Sequence, residues 1–175
     1  MENIGTKKVF TKMDLKWGYN NVQIKEGDKW VWIKEGDKWK AAFTTPEKSF
    51  EPTVMFFGLT NSPATFQVII NELLRDLINM EKVAVFIDDV IVGMEDKEEH
   101  DELVAEIIKR LEENDLYVKL EKCKWNGREV GFLGVVIGPE GIKIEEEKVK
   151  EVLDWSTSKC VKNVQKFLGL VNYYD

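Results

Sequence analysis

Two spacings of apolar residues alternate along this chain, and their changes mark its elements. Residues 9–15, VFTKMDL, read as a short strand ending at an acid, Asp14. Ser62-Pro63 reads as a helix start, with Ser at the N-cap and Pro at the first helical position. Behind it Phe66, Ile69, Ile70, Leu73 and Leu77 recur at helical spacing, which predicts a helix to about Asn79. Residues 83–93 read as strand–turn–strand, with adjacent acids Asp88 and Asp89 at the turn. An acidic helix follows. Its buried stripe is Leu103, Ile107, Ile108 and Leu111, and its wet face is Glu98, Glu99, Glu102, Glu106 and Glu113. Residues 116–119 read as a short strand. Residues 131–137, a turn at 138–141 and residues 142–144 read as a hairpin. Helices are predicted at about 145–155 and 159–173. Strands and helices mixed with hairpins, without strict β–α alternation, predict an α+β fold on an antiparallel sheet.

Between the first strand and the first helix lies a Lys/Trp-rich hairpin region, residues 16–56, closed by Pro46 and Pro52. It carries a tandem duplication: IKEGDKW at 24–30 and again at 33–39. A nine-residue unit in two copies is too short for a solenoid. KEGD is a turn signal, and its flanks at 21–24 and 38–43 read as strands. Two copies make either a three-stranded meander or a hairpin with one copy pushed outward. A meander would reverse the direction in which the chain leaves, so the extruded copy is favoured. Trp30 and Trp32 come with it, either to stack on bases or to cover the enlarged hairpin.

Composition narrows the class. Of 175 residues 43% are apolar, enough for a core, so wholesale disorder is excluded. No apolar run reaches the roughly 20 residues of a membrane span, and MENIGTKKVF has no signal-peptide stretch. Two cysteines and one histidine give neither a disulfide scaffold nor a zinc site, so a reduced intracellular compartment is expected. A net charge of −7 argues against nucleic acid, but it hides a split. Residues 1–50 carry ten Lys against seven acids, a net of +3. Residues 72–115 carry five basic groups against fifteen acids, a net of −10. A polyphosphate could approach the first segment; the second is equally a solvated acidic helix face.

The candidate chemistry lies in Asp14 and in the pair Asp88-Asp89, set in the apolar string FIDDV. Neighbouring carboxylates repel, and a buried one needs a partner. A divalent cation meets both needs. Magnesium suits a sparse carboxylate set completed by water and substrate phosphates. Asp-Asp is also an ordinary turn dipeptide. Asp14 precedes Asp88 by 74 residues, so a strand end and a hairpin tip must lie side by side for the acids to meet.

FTKMDLKWGY (10–19), FFGLTNSPATFQ (56–67), FIDDV (86–90), NDLYVKLEKC (114–123) and GFLGVVIGPEGIKI (131–144) stand in the order of the reverse-transcriptase palm motifs. Over essentially its whole length the chain resembles the polymerases of gypsy-type LTR retrotransposons, and VQKFLGLVNYY (164–174) is similar to the start of their next region. The resemblance implies a polymerase palm, an antiparallel sheet backed by helices, at 1–20 and 57–155. It implies partial fingers at 21–56 and the start of a thumb or connection at 156–175. It implies RNA-directed DNA synthesis, with two metals, Mg²⁺ or Mn²⁺, clamping the attacking and leaving oxygens. Primer–template nucleic acid and deoxynucleotide triphosphates would be partners, as would the rest of a retrotransposon polyprotein. The setting would be a cytoplasmic particle or the nucleus, with no membrane.

By position, Asp14 and Asp88 match the metal-binding acids, and Asp89 matches the acid near the primer end. Leu15 would offer its backbone carbonyl to a metal. Tyr19 matches the steric gate beneath the incoming sugar, and it also reads as a core aromatic. Gln67 matches the second motif, near template and nucleotide, and also reads as an ordinary polar helix residue. Lys122 matches the lysine that protonates the leaving pyrophosphate, with Lys119 its rival. Phe132, Leu133 and Gly134 match the primer grip, and Phe132 and Leu133 read as core strand residues in any case. Phe57 stands where retroviral enzymes carry Gln, as is common in the gypsy type. Only 13 residues precede Asp14, and the chain ends at Asp175. Weak primer–template binding and little processive synthesis are therefore expected of this chain alone. Two readings result: a polymerase fragment with its acids intact, and a non-catalytic retrotransposon remnant acting as a binding module.

Overall fold

The computed structural model describes residues 7–16, 18, 38–52, 54–56, 58–157 and 160–172. Its central sheet is built on β1 (Val9–Lys16). On one side β1 pairs antiparallel with β5 (Asp89–Met94), and β5 pairs with β4 (Val83–Phe86). On the other side β1 pairs with β6 (Tyr117–Val118) near its end and with β7 (Lys124–Gly127) nearer its start. Short β2 (Phe43–Thr44) and β3 (Ser49–Phe50) form a separate hairpin, with Phe43 stacked on Phe50 at 5.6 Å. The alternation of β1 gives the sheet two unlike faces. Thr11, Met13 and Leu15 are buried on one; Lys12 and Asp14 are half-buried on the other.

Helices α1 (Ser62–Leu73), α2 (Arg75–Asn79) and α3 (Lys97–Glu112) cover the first face. Phe66, Ile70, Leu74 and Leu77 meet Val104, Ile107 and Leu111 there, over Met13, Leu15, Val90 and Val92. A three-stranded sheet of β8 (Val130–Phe132), β9 (Val135–Gly138) and β10 (Gly141–Ile144) covers part of the second face. Its Val130, Phe132 and Ile137 bury Phe10 and Ile91. Helices α4 (Glu146–Leu153) and α5 (Val161–Val171) follow, with Trp155 against Phe167 at 5.7 Å. Their apolar positions stay outside the core: Leu153 is 78% exposed and Val161 74%. Among the described residues no helix is long and apolar enough to cross a membrane.

Several local expectations are corrected. The N-cap of α1 is Asn61, one residue early, because the Ser62 hydroxyl donates instead to the Phe56 carbonyl at 3.3 Å. The expected single helix breaks at Leu74. There Arg110 of α3 bonds the Leu73 carbonyl and grips the Asp76 carboxylate at 2.6 and 2.9 Å. The hairpin acids are not both in the turn: the turn is Ile87-Asp88, and Asp89 already pairs with Phe86. Residues 131–137 are not one strand. They bend at Leu133 and Gly134, both at positive φ (53° and 79°), as a two-residue hairpin requires. Leu133 is therefore a turn residue, not a strand residue. Residues 38–43 are not a strand either; Lys38–Ala41 forms a 3-10 turn before β2. The expectations for residues 21–37, and for the outward copy of the repeat, lie outside the described residues.

His100, the single histidine, is fully buried on α3. Its Nε2 lies 2.8 Å from Thr11 Oγ1, which also accepts the Asn126 amide at 3.2 Å; its Nδ1 has no partner among the described residues. This contact joins α3, β1 and β7. Burial holds the imidazole below its ordinary 6.5, with nearby Lys97 adding to that and Asp101 opposing it. A depressed histidine pKa contributes stability above the unfolded value, and this is lost as pH falls through the folded one. Thermal melts should therefore show the chain losing stability as pH drops below about 6.5, with a smaller loss in His100→Gln.

Candidate active site

Strand register brings the acids together. Asp14 of β1 stands directly opposite Asp89 of β5. The Leu15 amide donates to the Asp88 carbonyl at 2.8 Å, which seats the hairpin tip against the end of β1. Like charges directly opposite in a sheet are destabilising, so each acid needs a counter-charge. Lys12 Nζ lies 2.9 Å from Asp89 Oδ2, and Lys119 Nζ donates to Asp14 Oδ1 at 2.8 Å. Asp88 has no such ion pair among the described residues, and its buried Oδ1 has no hydrogen-bond partner among them. Burial pushes its carboxyl above the ordinary range; Lys119 opposes this, while Asp14 and Asp89 reinforce it.

The hairpin is held from α1. Gln67 Oε1 accepts the Ile87 amide at 2.7 Å, and its Nε2 donates to the Val85 carbonyl at 3.2 Å and to Asn71 Oδ1 at 2.8 Å. The amide of Gln67 is thus turned to the hairpin backbone. Ile87 needs that grip, because it sits at φ 55°, a costly conformation for a β-branched residue. Gln67→Ala should destabilise the chain by about 1–3 kcal/mol. Amide hydrogen exchange should show Ile87 opening first.

Gly18, buried just past β1, was not singled out by sequence reasoning. A Cβ there would lie 2.4 Å from Phe66 Cζ and 2.9 Å from Asp88 Oδ1. Lys119 was only the rival of Lys122, yet Lys119 is the lysine on Asp14. Lys122 is exposed on the 3-10 turn Leu120–Lys122. The Lys119 amide also donates to the Asp14 carbonyl at 2.8 Å, so this lysine is anchored at both ends. Its carbonyl in turn accepts the half-buried Cys123 thiol at 3.2 Å. Phe132 is buried against the acid-bearing face of the sheet, over Phe10 and Ile91, with Leu133 packed against the same cluster and Gly134 completing the turn. Tyr19, Phe57, Trp30 and Trp32 lie outside the described residues.

The donor set fits a hard divalent cation. Asp88 presents a buried oxygen without a hydrogen-bond partner among the described residues, and two more carboxylates stand beside it. Among the described residues no three acid, His or Cys side chains form a ready metal cage. Magnesium does not require one, since it keeps waters and substrate phosphates in its shell.

The family model for reverse transcriptase (RNA-dependent DNA polymerase) matches residues 1–137. The chain is 33% identical, over 98% of its length, to the retrovirus-related Pol polyprotein from transposon 297 of Drosophila melanogaster. It is 31% identical, over 99% of its length, to that from transposon gypsy of the same fly. It spans only 15% and 16% of those two relatives. A foamy viral protease-reverse transcriptase in complex with RNA/DNA hybrid superposes with a TM-score of 0.77 at 28% identity, covering 97% of this chain and 22% of that one.

Proposed function

Because the chain belongs to the reverse transcriptase (RNA-dependent DNA polymerase) family, we propose that it is the palm and partial fingers of a retrotransposon polymerase. It would add deoxynucleotides from their triphosphates to a primer 3′-hydroxyl on an RNA template. The observation that carries this reading is Asp14 and Asp89 facing each other across one strand pair, with Asp88 beside them, its buried Oδ1 without a hydrogen-bond partner among the described residues.

Asp14, Asp88 and Asp89, with the Leu15 carbonyl, would hold magnesium or manganese. Such ions, when bound, supply charge stabilisation to an attacking hydroxyl and a leaving phosphate oxygen. The chain's own part is position. The β1–β5 register sets the spacing of Asp14 and Asp89, and Gln67 holds the hairpin that carries Asp88. Phe132, Leu133 and Gly134 form the tight turn on the acid-bearing side and suit contact with a primer. Tyr19 is assigned to the sugar of the incoming nucleotide. Lys122, exposed on the 3-10 turn after β6, is assigned to the leaving pyrophosphate. The division into palm (1–20, 57–155), fingers (21–56) and thumb or connection (156–175) belongs to the same reading, as do a polyprotein context and an intracellular setting.

The test is extension of a DNA primer on an RNA template with Mg²⁺ or Mn²⁺, comparing the chain with Asp88→Asn. Extension that the variant lacks supports the proposal. Equal signal from both, including none, overturns it.

A further inference from the structure

We propose that Lys12 and Lys119 are resident counter-ions of the acid cluster, so that a divalent cation enters this site by exchange against their ammonium groups. The inference rests on the metal-site reading above and adds to it what the chain does before metal arrives.

Three carboxylates meet at the end of β1, and two of them already carry a cation. Lys12 stands opposite Ile91, which makes Asp89 its diagonal neighbour on the same face, within reach of a long side chain. Its Nζ is 2.9 Å from Asp89. Lys119 arrives from the other edge of β1, past β6, and its Nζ is 2.8 Å from Asp14. The contacts are alike in kind: one ammonium on one carboxylate oxygen, half-covered, with lysine side chains 21% and 22% exposed. A lysine at that depth can keep its stem packed and swing its head to water. Each occupies one carboxylate oxygen that a metal could otherwise take. Among the described residues, the buried Asp88 Oδ1 has no hydrogen-bond partner. The fold can therefore close without metal, because the repulsion among the acids is largely cancelled. The same ammonium groups then oppose a divalent ion by charge and by occupancy.

Removing a lysine should therefore tighten metal binding, the opposite of what loss of a merely structural residue does. The probe is Mn²⁺ alone, titrated into the full chain, with the free ion followed by electron paramagnetic resonance. Lys12→Met and Lys119→Met keep the apolar stem and remove the charge. Each should bind Mn²⁺ at least about fivefold more tightly than the parent chain and gain more melting temperature from Mn²⁺. Lys12→Arg and Lys119→Arg, which keep the charge, should bind no tighter than the parent. If a Met variant is unfolded without metal, its folding on addition of Mn²⁺ supports exchange, and its failure to fold at saturating Mn²⁺ overturns it. Equal or weaker binding by both Met variants also overturns it. Asp88→Asn separates the two ideas. If it loses Mn²⁺ while the Met variants match the parent, the metal site stands and exchange falls. If nothing binds Mn²⁺, both fall.

Discussion

Asp88→Asn should remove template-dependent extension while leaving the metal-free chain at least as stable as the parent at neutral pH. The two effects have one origin. The Asp88 carboxylate is half-buried, its Oδ1 has no hydrogen-bond partner among the described residues, and the other acids of the site stand nearby. Burial raises its pKa above the ordinary 3.8, and Asp14 and Asp89 add to this against the opposing pull of Lys119. A carboxyl whose folded pKa is raised contributes stability below its unfolded pKa and loses it as pH rises through the folded one. At neutral pH the folded chain therefore carries a charge that its surroundings disfavour. Asparagine keeps the shape and removes that charge. Melting curves should place the variant at or above the parent at pH 7, with the difference closing as pH falls toward the ordinary carboxylate range. Single-nucleotide extension should fall on the order of a thousandfold, as expected when a group aimed at developing charge is lost. A variant that melts lower than the parent at pH 7 without metal would show Asp88 to be a structural residue.

The regular parts of the fold were legible because they rest on local periodicity. β1, a hairpin at 83–94 and a hairpin turn at 139–140 fall where alternation and turn signals place them, though the strand expected over 131–137 breaks at Leu133-Gly134. α3 starts under Asp96, whose side chain accepts the Glu98 and Glu99 amides. The acids were legible for a different reason: carboxylates in apolar strands are conspicuous because they are locally unfavourable. What escaped depends on partners distant in sequence. Ile87 gives no sign of positive φ; its conformation is stabilised by Gln67, twenty positions away. Leu133 in a left-handed turn reads as a strand residue until Val130 and Phe132 are seen paired to β9. The break at Leu74 has a ligand on another helix, Arg110. Lys119 and Lys122 are both lysines in one short segment, and only the pairing of β6 with β1 places Lys119 on Asp14. His100 falls in line with the apolar stripe, three residues before Leu103 and seven before Ile107, and its burial depends on a polar partner 89 positions away, Thr11.

Gly18→Ala should be the most damaging single-methyl change near the site. The glycine is required for space, since its backbone is not among those at positive φ. The added Cβ would lie 2.4 Å from Phe66 Cζ, 2.9 Å from Phe66 Cε2 and 2.9 Å from Asp88 Oδ1. Neither neighbour yields cheaply. Phe66 is a rigid ring with no exposed surface, wedged into the core beneath α1. Asp88 is tied through its carbonyl to the Leu15 amide. Overpacking of this kind costs about 1–3 kcal/mol. That corresponds to a drop of several degrees in melting temperature for a chain of this size, at roughly 2–4 °C per kcal/mol. Any movement that relieves the ring contact shifts either α1, and with it Gln67, or the hairpin tip, and with it Asp88. Metal affinity and extension should therefore fall together with stability, unlike in Asp88→Asn. Phe66→Leu supplies the control. It lowers stability by itself, but in combination with Gly18→Ala it makes room for the methyl, so the double variant should be more stable than the two losses added. Strict additivity, or a Gly18→Ala chain that melts with the parent, would mean that α1 and the hairpin tip have more freedom to separate than the Gly18–Phe66–Asp88 contact implies.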